Sequence, residues 1–311
     1  MNANTNSISQ TTPQDDTCVI YVNLVHRLIT KQFPVWADLP IRPVEVGGWD
    51  NRTFRLGDNM LVRMPSAARY AAQVEKEHSW LPKLKNSLPI SIPVPLAMGE
   101  PDMEYPWQWS IYQWLPGETA AATTIKDKNQ FAMDLAQFII ALQKINTTSG
   151  PVPQKHEFAH AAGLHYYDAQ FRQAVEILKQ EIDTSLALQI WEKALRSRWM
   201  QQPVWVHGDI SAGNLIIYNG KLSGVIDFGC LGVGDPACDI VIAWKFFQAQ
   251  ERQIFLHMLP LDTNTWNRGR AWALWKALII KAGLVTSNPI ENQQASHTIQ
   301  EVLINYRDTA V

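Results

Sequence analysis

The feature that most limits what this chain can fold into is a polar run framed by short apolar stretches. It reads Val206-His207-Gly208-Asp209-Ile210-Ser211-Ala212-Gly213-Asn214 and is followed by Val225-Ile226-Asp227-Phe228-Gly229. Val204 and Val206 lead into the run, Leu215-Ile216-Ile217 leave it, Asn219-Gly220 is the dipeptide of a tight hairpin turn, and Leu222 to Ile226 returns as a strand. Asp209 and Asn214 are therefore expected on a loop held between strands, with Asp227 at the end of the returning strand. Taken singly, Asp, Asn and Gly are turn formers. The fixed spacing H-x-D-x4-N, then D-F-G, is what makes a candidate site of them.

That spacing supplies the oxygen atoms that phosphoryl transfer needs. Moving a γ-phosphoryl group asks little covalent work of a protein. It needs a positioned acceptor hydroxyl, Mg2+ across the phosphates, and neutralised charge on the equatorial oxygens. On this chemistry Asp209 is the candidate catalytic residue, accepting or orienting the hydroxyl proton of the acceptor. Asn214 and Asp227 are the candidate Mg2+ ligands, one through an amide oxygen and one through a carboxylate, both suited to a hard cation.

Upstream, Pro43 to Arg63 reads as an antiparallel meander: Val44 and Val46 before Gly47-Gly48, then Thr53 to Leu56, a Gly57-Asp58-Asn59 turn, and Met60 to Arg63. Tyr70, Val74, Glu77, Trp80 and Leu81 recur at helical spacing with Pro82 as the expected stop, which sets Glu77 beside an apolar stripe. Downstream, Asp235-Pro236 reads as a helix N-cap with proline in the first turn, continued by a buried helix from Ile240 to Phe247. Periodicity predicts further helices over Phe131 to Ile145, Tyr166 to Lys179, Leu186 to Trp199, Trp266 to Ala282 and Gln293 to Tyr306. The proline-rich stretch from Pro82 to Pro106 is expected as short edge strands and turns.

With these motifs in place, the chain resembles the aminoglycoside phosphotransferase family of small-molecule kinases, whose fold is similar to that of protein kinases. The resemblance rests on Gly47-Gly48-Trp49-Asp50-Asn51-Arg52-Thr53-Phe54-Arg55-Leu56, Trp114-Leu115-Pro116-Gly117-Glu118, the two motifs above, and Gly234-Asp235-Pro236-Ala237-Cys238-Asp239. It implies an α+β, two-lobed, protein-kinase-like fold with a small antiparallel-sheet N-lobe and a larger, mainly helical C-lobe. The expected bounds are a flexible tail over 1–17, a nucleotide-covering lobe over 18–114, and a catalytic and acceptor-binding lobe over 115–311. It implies ATP or GTP as donor, with Gly48 and Asn51 near the phosphates and Gln113, Trp114 and Leu115 as the hinge that meets the base. Arg63 stands where protein kinases carry a phosphate-contacting Lys; Glu77 is its expected partner and Glu75 the reserve. His207 and Asp239 are implied as supports of the catalytic loop. Ser211 stands two residues after Asp209 where many protein kinases have Lys, leaving the phosphoryl charge to Mg2+ and Arg63.

Composition limits the remaining classes. With 311 residues, 46% of them hydrophobic, and 13 Trp, the chain can bury a large core in two lobes. Net charge of −2 without a Lys/Arg cluster argues against a nucleic-acid surface. No stretch reaches the roughly 18 uninterrupted apolar residues of a membrane span, and Met1 to Asp16 lacks the pattern of a secretion signal. Cys18, Cys230 and Cys238, odd in number and without a C-x-x-C, fit reduced thiols in the cytoplasm. His156, His160 and His165 read as solvated or satisfied side chains, and Trp266, Trp272 and Trp275 as core.

The expected activity is Mg2+-dependent transfer of a phosphoryl group to a hydroxyl of a small molecule by a monomer or homodimer. The first acceptor class is an antibiotic such as an aminoglycoside. A metabolite kinase of the choline, homoserine or sugar type, and a non-catalytic nucleotide-binding module, are the alternatives. A protein kinase does not fit, because only Cys230 to Gly234 separate Asp227-Phe228-Gly229 from Asp235. A polycationic aminoglycoside calls for carboxylates near Asp209. Acids and bases between Pro151 and Met200 instead balance.

Overall fold

A computed structural model describes residues 18–44, 50–151 and 163–309. The expected tail over 1–17, Gly48 and the turn around it, His156 and His160 lie outside the described residues. By contacts the chain divides into a unit of Met1–Ser79 with Val94–Trp114 and a larger unit of Trp80–Pro93 with Leu115–Val311.

The smaller unit is built on a five-stranded antiparallel sheet of β1 (Ile41–Pro43), β2 (Asn51–Leu56), β3 (Met60–Pro65), β4 (Pro95–Gly99) and β5 (Trp109–Gln113), in the order β1-β2-β3-β5-β4. Strand period 2 sends Phe54, Leu56, Val62, Met64 and Ile111 to one face, where they pack with Leu24, Val25, Leu28 and Ile29 of helix α1 (Val22–Gln32). The first strand ends at Pro43, short of Val44. Proline-containing β4 takes an edge, where a missing N–H costs no ladder bond.

Helix α2 (Ala68–Leu84) is not stopped by Pro82. So close to a helix end, proline forfeits a single bond, and Leu81 and Leu84, 0% and 1% exposed, hold the last turn. Trp80–Pro93, expected within 18–114, packs with the larger unit. The Trp80 ring lies 4.9 Å from that of Trp205, and Ser91 O accepts the Val225 N–H at 2.9 Å.

In the larger unit, β6 (Glu118–Thr119), β8 (Leu215–Tyr218) and β9 (Lys221–Val225) form one antiparallel sheet, and β7 (Val204–Val206) pairs with β10 (Gly232–Gly234) in another. Tyr218 pairs with Lys221 across Asn219-Gly220, whose φ values of 54° and 81° are those of the two-residue turn that suits strand twist. The helices are α3 (Lys128–Gln143), α4 (Asp168–Ile177), α5 (Thr184–Leu195), α6 (Ile242–Lys245), α7 (Ala249–Met258), α8 (Thr263–Lys281) and α9 (Pro289–Thr309). Almost every residue of α8 from Asn267 to Ile279 is buried, because α4, α5 and α9 all pack against it. Phe171 and Trp191 stack at 4.0 Å between α4 and α5.

Two helical expectations need correction. Ile240 to Phe247 is not one helix: a 3-10 turn over Pro236–Ile240 is followed by the four-residue α6. Phe246 leaves helical dihedrals (φ −136°, ψ −39°), and Phe247 then buries against Phe255 at 5.2 Å and Phe131 at 6.0 Å. The helix expected to reach Trp199 ends at Leu195, and the Ser197 hydroxyl donates to the Ala194 carbonyl at 3.1 Å. No helix among the described residues is long and apolar enough to cross a membrane.

Candidate active site

The central loop leaves β7 at Val206 and is fixed by a carboxylate far along the chain. Asp239, fully buried, accepts the backbone N–H of His207 through Oδ2 at 2.8 Å and that of Gly208 through Oδ1 at 2.7 Å. Gly208 has φ +85°, and a Cβ there would sit 2.5 Å from the Cys230 carbonyl oxygen, so the turn admits only glycine. Burial pushes the Asp239 carboxyl above the usual range; His207 and the two N–H donors work against that shift.

His207, also fully buried, ties the loop to the returning strand. Its Nε2 lies 3.0 Å from the Ile226 carbonyl oxygen, and its Nδ1 accepts the Asp209 N–H at 3.2 Å, a pattern that needs the proton on Nε2. The Phe228 ring meets the imidazole edge-on at 4.6 Å. Asn214 closes the loop: its Nδ2 donates to the Asp209 carbonyl at 2.9 Å and to Asp209 Oδ2 at 3.1 Å. Ile226 N–H donates to the Asn214 carbonyl at 2.9 Å. Asp227 follows in the left-handed region (φ 65°, ψ 69°), a conformation costing about 1–3 kcal/mol for a side-chain-bearing residue and concentrated at functional sites.

The oxygen set fits Mg2+. The Asn214 amide nitrogen is engaged, so its oxygen is the atom offered to a cation, and Asp227 adds a carboxylate. Among the described residues no cluster of three or more His, Cys, Asp or Glu could hold an ion by itself. Mg2+ is commonly held by one or two protein oxygens completed by phosphates and water.

Within the smaller unit, the Arg63 Nη1 donates to both Glu77 oxygens at 3.1 and 3.2 Å, and the Tyr112 hydroxyl donates to Glu77 Oε2. Glu75 is exposed. Asn51 is buried at the start of β2. Gln113 N–H donates to the Val94 carbonyl and Trp114 N–H to the Asn59 carbonyl, while the Arg55 guanidinium covers the Trp114 ring at 3.9 Å. The two N–H groups are thus spent within the sheet. Leu115 belongs to the larger unit.

Two groupings were not seen from sequence. Arg268 of α8 donates through Nε and Nη2 to Asp235 at 2.6 and 3.1 Å, pinning the Asp235-Pro236 corner, where Asp235 also caps Ala237 N–H at 3.0 Å. Beside Asp209, a small, partly open cavity is lined by Val241 and Lys245 and by Trp272, Trp275 and Lys276 of α8. The two tryptophans are each 2% exposed, as core would be, yet they also face this cavity; Trp266 is only half-buried. The available signals were a lone Lys in an apolar run and the i, i+3, i+4 spacing of Trp272, Trp275 and Lys276.

A small antiparallel-sheet unit and a larger, mainly helical unit, the latter carrying a strand-framed Asp209/Asn214/Asp227 loop, define the protein-kinase-like class of phosphotransferase folds. Residues 40–272 match the model of the APH phosphotransferase enzyme family, and the chain belongs to that family. An aminoglycoside 3'-phosphotransferase of Escherichia coli is 35% identical over 78 residues, 25% of this chain and 29% of that protein, so the match spans under a third of the relative's length. Among solved structures, the GDP complex of aminoglycoside 2'-phosphotransferase-IIIa superposes with a TM-score of 0.70 at 17% identity, covering 94% of this chain and 100% of the other. The macrolide 2'-phosphotransferase of Brachybacterium faecium gives 0.60 at 16% identity, with 89% and 98% covered. At such identity these two likenesses concern the fold.

Proposed function

We propose that this chain transfers the γ-phosphoryl group of ATP or GTP to a hydroxyl of a small molecule. Asp209 accepts or orients the hydroxyl proton, its carboxylate steadied by the Asn214 amide at 3.1 Å. Asn214 and Asp227 are the residues to hold Mg2+, which when bound supplies charge neutralisation across the phosphates. Arg63, held by Glu77, is proposed as a phosphate-contacting cation, with Asn51 and Gly48 as further phosphate-side residues. Gln113 to Leu115 are proposed to meet the base; with the N–H groups of Gln113 and Trp114 engaged, other atoms of this segment take that part. His207 and Asp239 hold the loop in place.

The observation that carries this reading is the closed set of bonds linking His207, Asp209, Asn214, Ile226 and Asp239, which brings the loop and the strand leading to Asp227 together. A family of phosphotransferases whose relatives are named for aminoglycosides and a macrolide makes an antibiotic the first acceptor class, and metabolite alcohols the second. The free thiols of Cys18, Cys230 and Cys238 support a cytoplasmic site of action. The test compares the parent with Asp209→Ala and Asp227→Ala, using purified protein with Mg2+-ATP and Mg2+-GTP and a panel of antibiotics and metabolic alcohols. Asp209→Ala is expected to lose acceptor phosphorylation while nucleotide binding survives, and Asp227→Ala to weaken Mg2+-nucleotide binding itself. Equal turnover by the Asp209 variant and the parent would remove the proposed base.

A further inference from the structure

Among the described residues that line the cavity beside Asp209, two lysines face one carboxylate. The lysines are Lys245 and Lys276, and among the described residues neither makes an ion pair. Among the described residues that carboxylate is Asp209, already assigned to the acceptor hydroxyl. Glu291 also acts on Lys245 from the turn that starts α9, where its Oε2 accepts the Asn288 N–H at 2.8 Å. Burial foremost, and then the neighbouring Lys276, lower the Lys245 ammonium below its ordinary pKa against the opposing pull of Asp209 and Glu291. Ile210, Cys238, Val241 and the two tryptophans make the rest of the described wall largely apolar. Trp272 and Trp275 meet edge-to-face at 5.4 Å, Trp275 Nε1 is held by Gln170 Oε1 at 3.1 Å, and Tyr167 packs 5.2 and 4.3 Å from the two rings. Those bonds and contacts fix the indoles in place, and the small size of the cavity limits it to a compact ligand.

We infer that the acceptor is a compact hydroxylated compound carrying an anionic group, which pairs with Lys245 and Lys276 while a ring or other apolar face packs on Trp272 and Trp275. This rests on the proposal that Asp209 serves the acceptor hydroxyl, and it adds the charge class of the molecule that arrives there. Two lysines in one small cavity attract an acid group and repel the amines of an aminoglycoside or the quaternary nitrogen of choline. The aromatic pair alone would admit such a cation; the lysines decide against it.

The test is read in binding, so that it fails separately from phosphoryl transfer. Three probes share a hydroxylated ring and differ in charge: 4-hydroxyphenylacetate, 4-hydroxybenzylphosphonate and tyramine. Calorimetric titration into the full chain with Mg2+-nucleotide present is expected to show the better anion binding at least about tenfold more tightly than tyramine. The two anions distinguish a carboxylate-bearing from a phosphate-like acceptor. Lys245→Gln/Lys276→Gln, with the single variants beside it and folding checked by circular dichroism, is expected to erase the preference. Tyramine binding as well as the anions, a preference that survives both substitutions in folded protein, or no binding by any probe overturns the inference. So does turnover of kanamycin or choline that the lysine substitutions leave unchanged.

Discussion

Oδ1 of Asp239 lies 2.7 Å from the backbone nitrogen of Gly208, so the turn that presents Asp209 hangs on a fully buried carboxylate thirty-one residues further along the chain. The same side chain takes the His207 N–H at 2.8 Å. A single side chain thus satisfies two consecutive buried donors that no strand ladder reaches, and it does so where Gly208 must hold φ +85°.

Asp239→Asn tests this anchor. An amide keeps one acceptor oxygen and turns an NH2 towards the other donor, leaving a buried N–H without a partner, at a cost of about 1–3 kcal/mol. Urea denaturation should show that loss. The turnover number should fall while nucleotide KM stays near the parent's; a variant with parental stability and turnover would show that the anchor is dispensable.

The Arg63–Glu77 pair is the corresponding fixture of the smaller unit, with side chains 14% and 3% exposed. Glu77→Ala removes the carboxylate to which both the Arg63 guanidinium and the Tyr112 hydroxyl donate. Removing one partner of such a buried pair costs about 3–5 kcal/mol. A fall of the denaturation midpoint is expected, together with weaker Mg2+-nucleotide binding; Glu75→Ala, at an exposed position, should do neither.

Lys245 gives a pH dependence of definite sign. Burial and Lys276 hold its pKa below the ordinary lysine value, against the pull of Asp209 and Glu291, so the unfolded chain binds that proton better than the folded one. The cost to stability is full below the lowered folded value and disappears as pH rises towards the ordinary lysine range. Lys245→Met is therefore expected to melt above the parent at neutral pH, with the gap closing in alkaline buffer. A parent that is the more stable at neutral pH contradicts this.

Asp262 caps α8, accepting the Thr265 N–H at 2.7 Å and its hydroxyl at 2.9 Å, and those bonds, the N–H foremost, hold its carboxyl below the usual range. Asp262→Ala should cost about 1 kcal/mol. Because the folded pKa is depressed, the contribution is complete above the unfolded carboxylate value and is lost as pH falls through the folded one. Melting curves of parent and variant should therefore converge in acid.

Local pattern made much of the fold readable. The Asn219-Gly220 hairpin has the dihedrals its two residue types favour, and alternation in β2 and β3 gives the observed inward set of Phe54, Leu56, Val62 and Met64. Helical spacing set Glu77, rather than Glu75, beside the apolar stripe, and in the structure it is Glu77 that Arg63 reaches. Boundaries were harder. Pro82 read as a stop because proline's local cost is visible in sequence, while the burial of Leu81 and Leu84 that offsets it is not. Ile240 to Phe247 read as one helix because apolar residues alone do not show that Phe246 leaves helical dihedrals.

What the sequence determined by itself was the set of short-range geometries and the spacing of Asp209, Asn214 and Asp227, since these depend on turn chemistry and on residues a few positions apart. What the tertiary structure alone decided was which distant side chains meet. Asp239 reaches the Gly208 turn, Arg268 reaches Asp235, and Lys245 comes to share a cavity with Trp272, Trp275 and Lys276. The charge of that cavity could not be read from a balanced local count of acids and bases, because it arises from packing α6 against α8, whose lysines have no sequence relation to one another.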